Sequence, residues 1–400
     1  MAHIALALAV LAYGLGAAWL RRLQITGPAL FLLLGLGFSL IEPSEAGEMR
    51  AALHILAEVA LVIILFSDGT HVNLRALRAG WHWPFRLLVL GLPLSIALGG
   101  VVAFLLLRDW PIWQLVLLAA LLAPTDAALG QAVVTDKRVP EKLREALSTE
   151  SGLNDGIALP VALFLACLAV GGQHDFAETN WLIFAAKQVF YGAGLGVALG
   201  LACGWLLKVA RAKNVASQAS SVLVALGVAG LAFLGAEEIG GNGLIAAFTG
   251  GIAFGWAFPI TGRFLGEFLE EEGQLLLLAT FFMIGAELLP EALASVTLAE
   301  AAVALASLTV VRPAAVWLAM LGTGTRPRLK LFLGWFGPRG LATALFALII
   351  GDLVILSEGA SILTITSITV LLSAILHGAT AAPVAGRYGA TLVESDARQS

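Results

Sequence analysis

STESGLNDGIALPVALFLACLAV, residues 148–170, decides how this chain is read. From Ile157 onward the stretch is apolar enough for lipid, yet its head carries Glu150, Asn154 and Asp155. Ionised groups inside a bilayer are costly unless paired or wet, so carboxylates at such a place point to function by default.

The surrounding sequence is all of one kind. The 400 residues are 59% hydrophobic and 12% charged, where soluble domains carry roughly 25% charged residues. Mean hydropathy is +0.93. The apolar material falls into thirteen segments, near 4–20, 27–41, 50–68, 83–107, 111–134, 142–171, 180–209, 217–236, 242–258, 264–289, 291–322, 328–350 and 358–386. Only helices and closed barrels span lipid, and barrels alternate polar with apolar residues. The expected fold is therefore an all-α polytopic membrane protein of about thirteen transmembrane helices, each needing roughly 20 residues. Cys167 and Cys203 both sit in apolar runs and read as core residues. The first segment, IALALAVLAYGLGAAWLRR, carries its arginines after the apolar run and reads as a retained helix, not a cleaved leader.

Alternate connections differ sharply in charge. One set holds Arg21 and Arg22; Arg75 and Arg78; Lys137, Arg138, Lys142 and Arg144; Lys208, Arg211 and Lys213; Arg263; and Arg326, Arg328 and Lys330. The other set, including EPSEAGE, GGQHDFAETN and AEEIGG, is acidic or neutral. By the positive-inside rule the basic set is cytoplasmic, which puts the N-terminus outside, the C-terminus inside, and makes the number of crossings odd. The Trp81, Trp83, Trp110 and Trp113 side chains fit an interfacial belt.

An internal repeat is legible as well. LAPTDAALG interrupts the fifth segment and GWFGPRGLA the twelfth, about 214 residues apart, and the first and eighth segments start at a similar offset. An offset of seven spans inverts one half against the other. Paired Gly/Pro-interrupted spans in corresponding positions point to a secondary transporter with its site near the midplane. The expected organisation of 1–400 is a first repeat over 4–171, a linking helix over 180–209, a second inverted repeat over 217–386, and a short cytoplasmic tail, 387–400.

Depth arithmetic brings two polar clusters together. Asp126 is about 15 residues into its span from outside, roughly 22 Å, and Asp155 about 13 residues from inside, roughly 20 Å. Both fall near the middle of a core about 30 Å thick. Glu150 and Asn154 share one i,i+4 face, Ser151 and Asp155 the next. Pro124 breaks the ladder of its helix and frees carbonyls near Thr125. Freed carbonyls, a hydroxyl and a carboxylate are hard oxygen ligands that suit an alkali cation. A cation needs the deprotonated carboxylate, so cation and proton compete for Asp155. If the occupied site alone crosses the membrane, competition becomes exchange. Arg312 and Arg339, buried in the eleventh and twelfth spans, each require an anion or a broken helix end nearby. Glu150 is the partner expected for Arg312, and the carbonyls of the twelfth-span break for Arg339. Glu58 is a possible additional acid; Asp68, Lys187 and His377 lie nearer helix ends and read as capping, snorkelling or ordinary hydrogen bonding.

APTD at 123–126, TESGLND at 149–155, Arg312 and GWFGPRG at 334–340 together resemble the cation:proton antiporter superfamily, in its sodium/proton exchanger, NhaP-like branch. The resemblance implies a homodimer with a six-helix core domain moving against a dimerisation domain, and crossed, unwound helices 5 and 12. It implies that Asp155 carries ion and proton, with Thr125, Asp126 and Ser151 as ligands. It further implies that Asn154 marks the electroneutral branch, that Glu150 and Arg312 form a bracing pair, and that Arg339 serves the second crossover. Ala127 stands where many relatives have proline, and no long regulatory tail or regulatory partner is evident. The expected function is electroneutral exchange of Na⁺ or Li⁺ for H⁺ across a bacterial inner membrane, for pH homeostasis, with no cofactor, no enzymatic activity and no nucleic-acid partner. K⁺/H⁺ antiport by the same site is the alternative, and a channel-like cation pathway is a more distant one. An intramembrane hydrolase lacks its pattern: Ser151 has no histidine near it, and H-E-x-x-H is absent.

Overall fold

A backbone withdrawn from water must satisfy its own N–H and C=O groups, and the apolar stretches do so as helices. The computed structural model describes residues 2–22, 26–41, 48–72, 81–126, 129–134, 136, 138–170, 181–258 and 263–396, and every regular element among them is helical. In chain order these are α1 (Ala2–Arg22), α2 (Gly27–Ile41), α3 (Glu48–His71), α4 (His82–Leu106), α5 (Ile112–Leu121), α6 (Gln131–Val134), α7 (Glu141–Ala169) and α8 (Trp181–Ala212). There follow α9 (Gln218–Glu238), α10 (Gly243–Ala257), α11 (Arg263–Glu287), α12 (Leu289–Ser295), α13 (Leu298–Ala319), α14 (Pro327–Trp335), α15 (Leu341–Leu353) and α16 (Gly359–Asp396). Ala127, Arg75, Arg78, Lys137 and the connection 171–180 lie outside the described residues.

Among the described residues, seven helices are long and apolar enough to cross a membrane alone: those within α3, α4, α7, α8, α9, α13 and α16. Shorter apolar helices occur in α1, α2, α5, α10 and α15, and Gly273–Glu287 with Leu289–Ser295 forms a pair bent by 41°. One boundary departs from the sequence reading. The eleventh segment, expected from 291, starts its long helix at Leu298, because Thr297 and Glu300 form a reciprocal capping box. The last helix runs on to Asp396, while its stretch apolar enough to cross a membrane, Gly359–Ala385, ends where the sequence placed it.

The bundle is organised around α10, and glycines set how closely its neighbours approach. On α8, Gly192, Gly196, Gly200 and Gly204 recur every four residues; a Cβ on any of them would collide with Asn242, Ala246, Gly250 or Phe254 of α10 and its leading turn. On the opposite side of α10, a Cβ at Gly251 or Gly255 would strike the Phe66 or Thr70 backbone of α3. Gly152 and Gly156 of α7 press equally closely on the Phe248 and Ile245 side chains. In lipid, where apolar burial supplies no driving force, such small-residue contacts let van der Waals packing hold helices together. Here they clamp the face of α7 that carries Asp155.

Helices α4 and α13 each contain one π-helical turn, Leu87–Gly91 and Ser307–Val311. Two further interruptions matter most. The chain leaves helix after Leu121 and resumes it at Gln131, and it does the same between Trp335 and Leu341.

Candidate ion site at the crossing of two broken helices

The first break follows from Pro124, which has no N–H to donate to the preceding turn. The Ala123 and Pro124 carbonyls are left without helical partners. Both are taken by the Arg339 guanidinium, whose Nη1 donates to Ala123 O and, at 2.6 Å, to Pro124 O. Arg339 thus neutralises the break in the fifth segment, not the one in its own segment. The correction has a simple cause: the two breaks lie against each other, and a fully buried guanidinium reaches across to them.

The second break answers the first. Asp126 donates its backbone N–H to Pro338 O at 2.8 Å. Its carboxylate Oδ2 accepts the Leu341 N–H at 2.8 Å, capping the first turn of α15, and Oδ1 accepts from Leu129 N–H at 3.4 Å. Gly340 makes that approach possible, because a Cβ there would overlap the Asp126 carboxylate; one at Gly337 would press on the Arg312 guanidinium and Thr125.

α7 supplies the rest. Ser151 Oγ donates to Thr125 O at 2.6 Å, and Asn154 Nδ2 donates to Thr125 Oγ1 at 2.8 Å. Glu150 faces Arg312 in a two-bond fork, Nη1 to Oε1 at 2.6 Å and Nη2 to Oε2 at 2.8 Å, with both side chains no more than 3% exposed. Thr125, Asp126, Ser151 and Asn154 are therefore gathered at one buried place, with Glu150–Arg312 and Arg339 beside it, and Asp155, buried too, follows Asn154 directly in α7.

Asp155 differs from the other acids. Glu150 is held by Arg312 and Asp126 by backbone N–H groups, but Asp155 Oδ1 is buried without a hydrogen-bond partner among the described residues. Asn154 Oδ1 is in the same condition. A cavity of about 10 Å³, lined by Thr125, Asp126, Leu147, Ser151, Phe336 and Pro338, has room for about one water-sized occupant. Asp155 follows Ser151 by one helical turn along α7. Elsewhere in the bundle, Glu237 Oε1 accepts the Gly243 N–H at 2.7 Å at the head of α10.

His377 makes the ordinary hydrogen bonds expected of it, in company with Ser373, which the sequence reading did not single out. His377 is 1% exposed, with Nε2 3.0 Å from Trp335 O and Nδ1 3.2 Å from Ser373 Oγ, while Ser373 Oγ accepts the Arg339 N–H at 2.7 Å. An imidazole protonated on Nε2 donates to Trp335 O and accepts the Ser373 hydroxyl at Nδ1, leaving the 3.1 Å approach of Nδ1 to Ser373 O without a hydrogen bond. Ser373 and His377 thus pin the second break from α16. Their four-residue spacing in an apolar segment was the available signal.

The chain is similar to known proteins. A sequence model of the family described as "Sodium/hydrogen exchanger, transmembrane" matches residues 6–386. The K(+)/H(+) antiporter NhaP2 of Shewanella oneidensis is 28% identical over 329 residues, covering 80% of this chain and 56% of that protein. The K(+)/H(+) antiporter NhaP of Alkalimonas amylolytica is 26% identical over 333 residues, covering 81% and 56%. The chain thus spans little more than half the length of these curated relatives. Among solved structures, the sodium proton antiporter MjNhaP1 from Methanocaldococcus jannaschii at pH 8 superposes with a TM-score of 0.79 over 96% of this chain and 98% of that one, at 22% identity, which establishes a common fold.

Proposed function

Because the chain belongs to the sodium/hydrogen exchanger family, we propose that it is a secondary antiporter in which one monovalent cation and one proton compete for Asp155. The observation that carries this reading is the buried Asp155 Oδ1, unpartnered among the described residues, next in sequence to the equally unpartnered Asn154 Oδ1 and one helical turn from Ser151, whose Oγ donates to Thr125 O. Such a donor set is hard and oxygen-rich, and suits an alkali cation stripped of water. Thr125 and Ser151 contribute oxygens directly, and Asp126 acts from its place at the head of α15.

Stoichiometry follows from charge. Asn154 contributes none, so one proton leaving Asp155 balances one cation arriving, and exchange is electroneutral. The substrate is Na⁺, with Li⁺ as its smaller congener. A second reading, K⁺, is favoured by the names of the curated relatives. The two interrupted segments, held to each other reciprocally, and the π-helical turns of α4 and α13 support an inverted repeat of thirteen spans, with α5–α6 and α14–α15 as its crossed members. The basic connections support a cytoplasmic C-terminus in a bacterial inner membrane. A homodimer is proposed on the family resemblance.

Proteoliposomes carrying a preset pH gradient test the reading. Adding Na⁺, Li⁺, K⁺ or Rb⁺ in turn should dissipate the gradient for the transported ion, and an imposed membrane potential should leave the rate unchanged. Dissipation by none of the four ions, or proton flux without added cation, rejects exchange. A rate that follows the potential rejects electroneutrality.

A further inference from the structure

A second cavity, of about 300 Å³, opens where α15 ends and α16 begins. It lies roughly 18 Å along α15 from the Asp126 contact, at 1.5 Å per residue. Arg50 from the start of α3 and Glu291 from α12 both line it, among apolar side chains such as Ile350, Val354, Leu356 and Leu363. The two charges share this space without bonding to each other. Neither side chain has a hydrogen-bond or ion-pair partner among the described residues, and the half-buried Arg50 keeps its Nε buried without one. The neighbouring charges are engaged elsewhere: His54, one turn along α3 from Arg50, sits 3.6 Å from Asp352.

A guanidinium withdrawn from water without an acceptor is destabilising, and an oxyanion that bonds its planar fork removes that cost. A carboxylate held apart from it in the same cavity favours a cationic group on the same ligand. The walls between them mix polar groups, Thr364 among them, with the apolar side chains Ile350, Val354, Leu356 and Leu363, and the apolar surface continues outward through Leu353, 56% exposed, and Ile355, 96% exposed. The volume is at the lower end of the range for small-molecule pockets. From these features we infer that the cavity seats the headgroup of one zwitterionic phospholipid with a primary ammonium. Its phosphate oxygens accept from Arg50, its ammonium donates to Glu291, and its acyl chains follow the apolar walls into the bilayer. The apolar walls favour a lipid over a soluble amino-phosphate, which would leave them wet.

Native mass spectrometry of the delipidated full chain, titrated with dioleoyl phosphatidylethanolamine, phosphatidylcholine or phosphatidylglycerol, tests the inference. One saturable ethanolamine-lipid site is expected, with affinity at least about tenfold above that for the glycerol lipid, the worth of one charge-assisted contact. Arg50→Gln should lose that site. Glu291→Gln should bind the ethanolamine and choline lipids alike. Since neither residue gives up a partner among the described residues, both variants should keep the thermal midpoint of the delipidated parent; Arg50→Lys and Glu291→Asp, expected to weaken binding less, serve if either does not. The inference is overturned by unchanged binding in both variants, by non-saturable uptake of all three lipids, or by glycerophosphoethanolamine competing as strongly as the lipid, which would make the ligand a soluble one.

Discussion

The Glu150–Arg312 fork can be tested as a thermodynamic cycle. Glu150→Gln removes a carboxylate that makes two short contacts with Arg312, at 2.6 and 2.8 Å. Arg312 cannot turn elsewhere: it is 2% exposed and its Nε already lacks a partner. Stranding one member of a buried pair costs about 3–5 kcal/mol. With an unfolding entropy of roughly 2.1 cal/mol/K per residue, a chain of 400 residues loses about 4–6 °C of thermal midpoint for that cost. Arg312→Met should fall by a similar amount, because Glu150 is then the stranded charge. The double variant Glu150→Leu/Arg312→Met buries no charge and should return to within about 2 °C of the parent, since replacing a whole buried pair by hydrophobes is often neutral.

The assay is thermal unfolding in one detergent–lipid mixture, read by tryptophan fluorescence and by the monodisperse fraction surviving a heating series. Single variants within about 1 °C of the parent would mean that the fork contributes little. A double variant as low as the two singles combined would show that the loss comes from packing, not from an isolated charge. Either result removes the reason for treating this pair as the brace that fixes the head of α7, and with it Asp155, against α13.

Asp155→Asn keeps shape but removes the titrating charge; cation-driven dissipation of a pH gradient should drop to the level of empty vesicles while elution and thermal midpoint hold, and surviving pH-dependent cation flux would reject the assignment. Gly340→Ala should push the Asp126 carboxylate off the Leu341 N–H, costing about 1–3 kcal/mol for a buried group left unsatisfied; Gly227→Ala, with open space around its Cβ, is the control and should not lower the midpoint. In the loop after α6, Arg138 hydrogen-bonds to Asp136 and holds its carboxyl below the ordinary carboxylate range. A depressed folded value means the pair stabilises the loop above that range and is lost as pH falls through the lowered value. Carboxyl NMR titration should show this, and Arg138→Gln should return Asp136 to ordinary behaviour.

Much of this arrangement was legible because lipid leaves few choices. An acid within an apolar run must be compensated, so Asp155, Glu150 and Arg312 stood out by position alone. Pro124 and Pro338 marked the breaks, since proline removes a donor from the helical ladder. Depth arithmetic then brought Asp126 level with Asp155. The Gly192–Gly196–Gly200–Gly204 ladder was equally visible as a four-residue period, but its partner was not. A small-residue stripe says that another backbone approaches closely, and only the fold shows that backbone to be α10.

What stayed hidden was which of several donors each acceptor would find. Arg339 and the Ala123 and Pro124 carbonyls are about 215 residues apart, so sequence could state that each needed compensation but not that they compensate each other. The same holds for Asp126, which the family resemblance implied to be a cation ligand. Its oxygens meet the Leu341 and Leu129 N–H groups, so a cation there shares a carboxylate that also fixes the head of α15. This sharing gives the site a means of coupling. If Asp155 exchanges cation and proton as proposed, the change of charge there acts on the like-charged Asp126 carboxylate, buried at the same crossing. Asp126 in turn holds Leu341 and, through its own N–H, Pro338. On that proposal the occupancy of one carboxylate on α7 is connected to the position of a half-helix from the other end of the sequence, the minimum needed for a bound ion to bias which way the crossing moves.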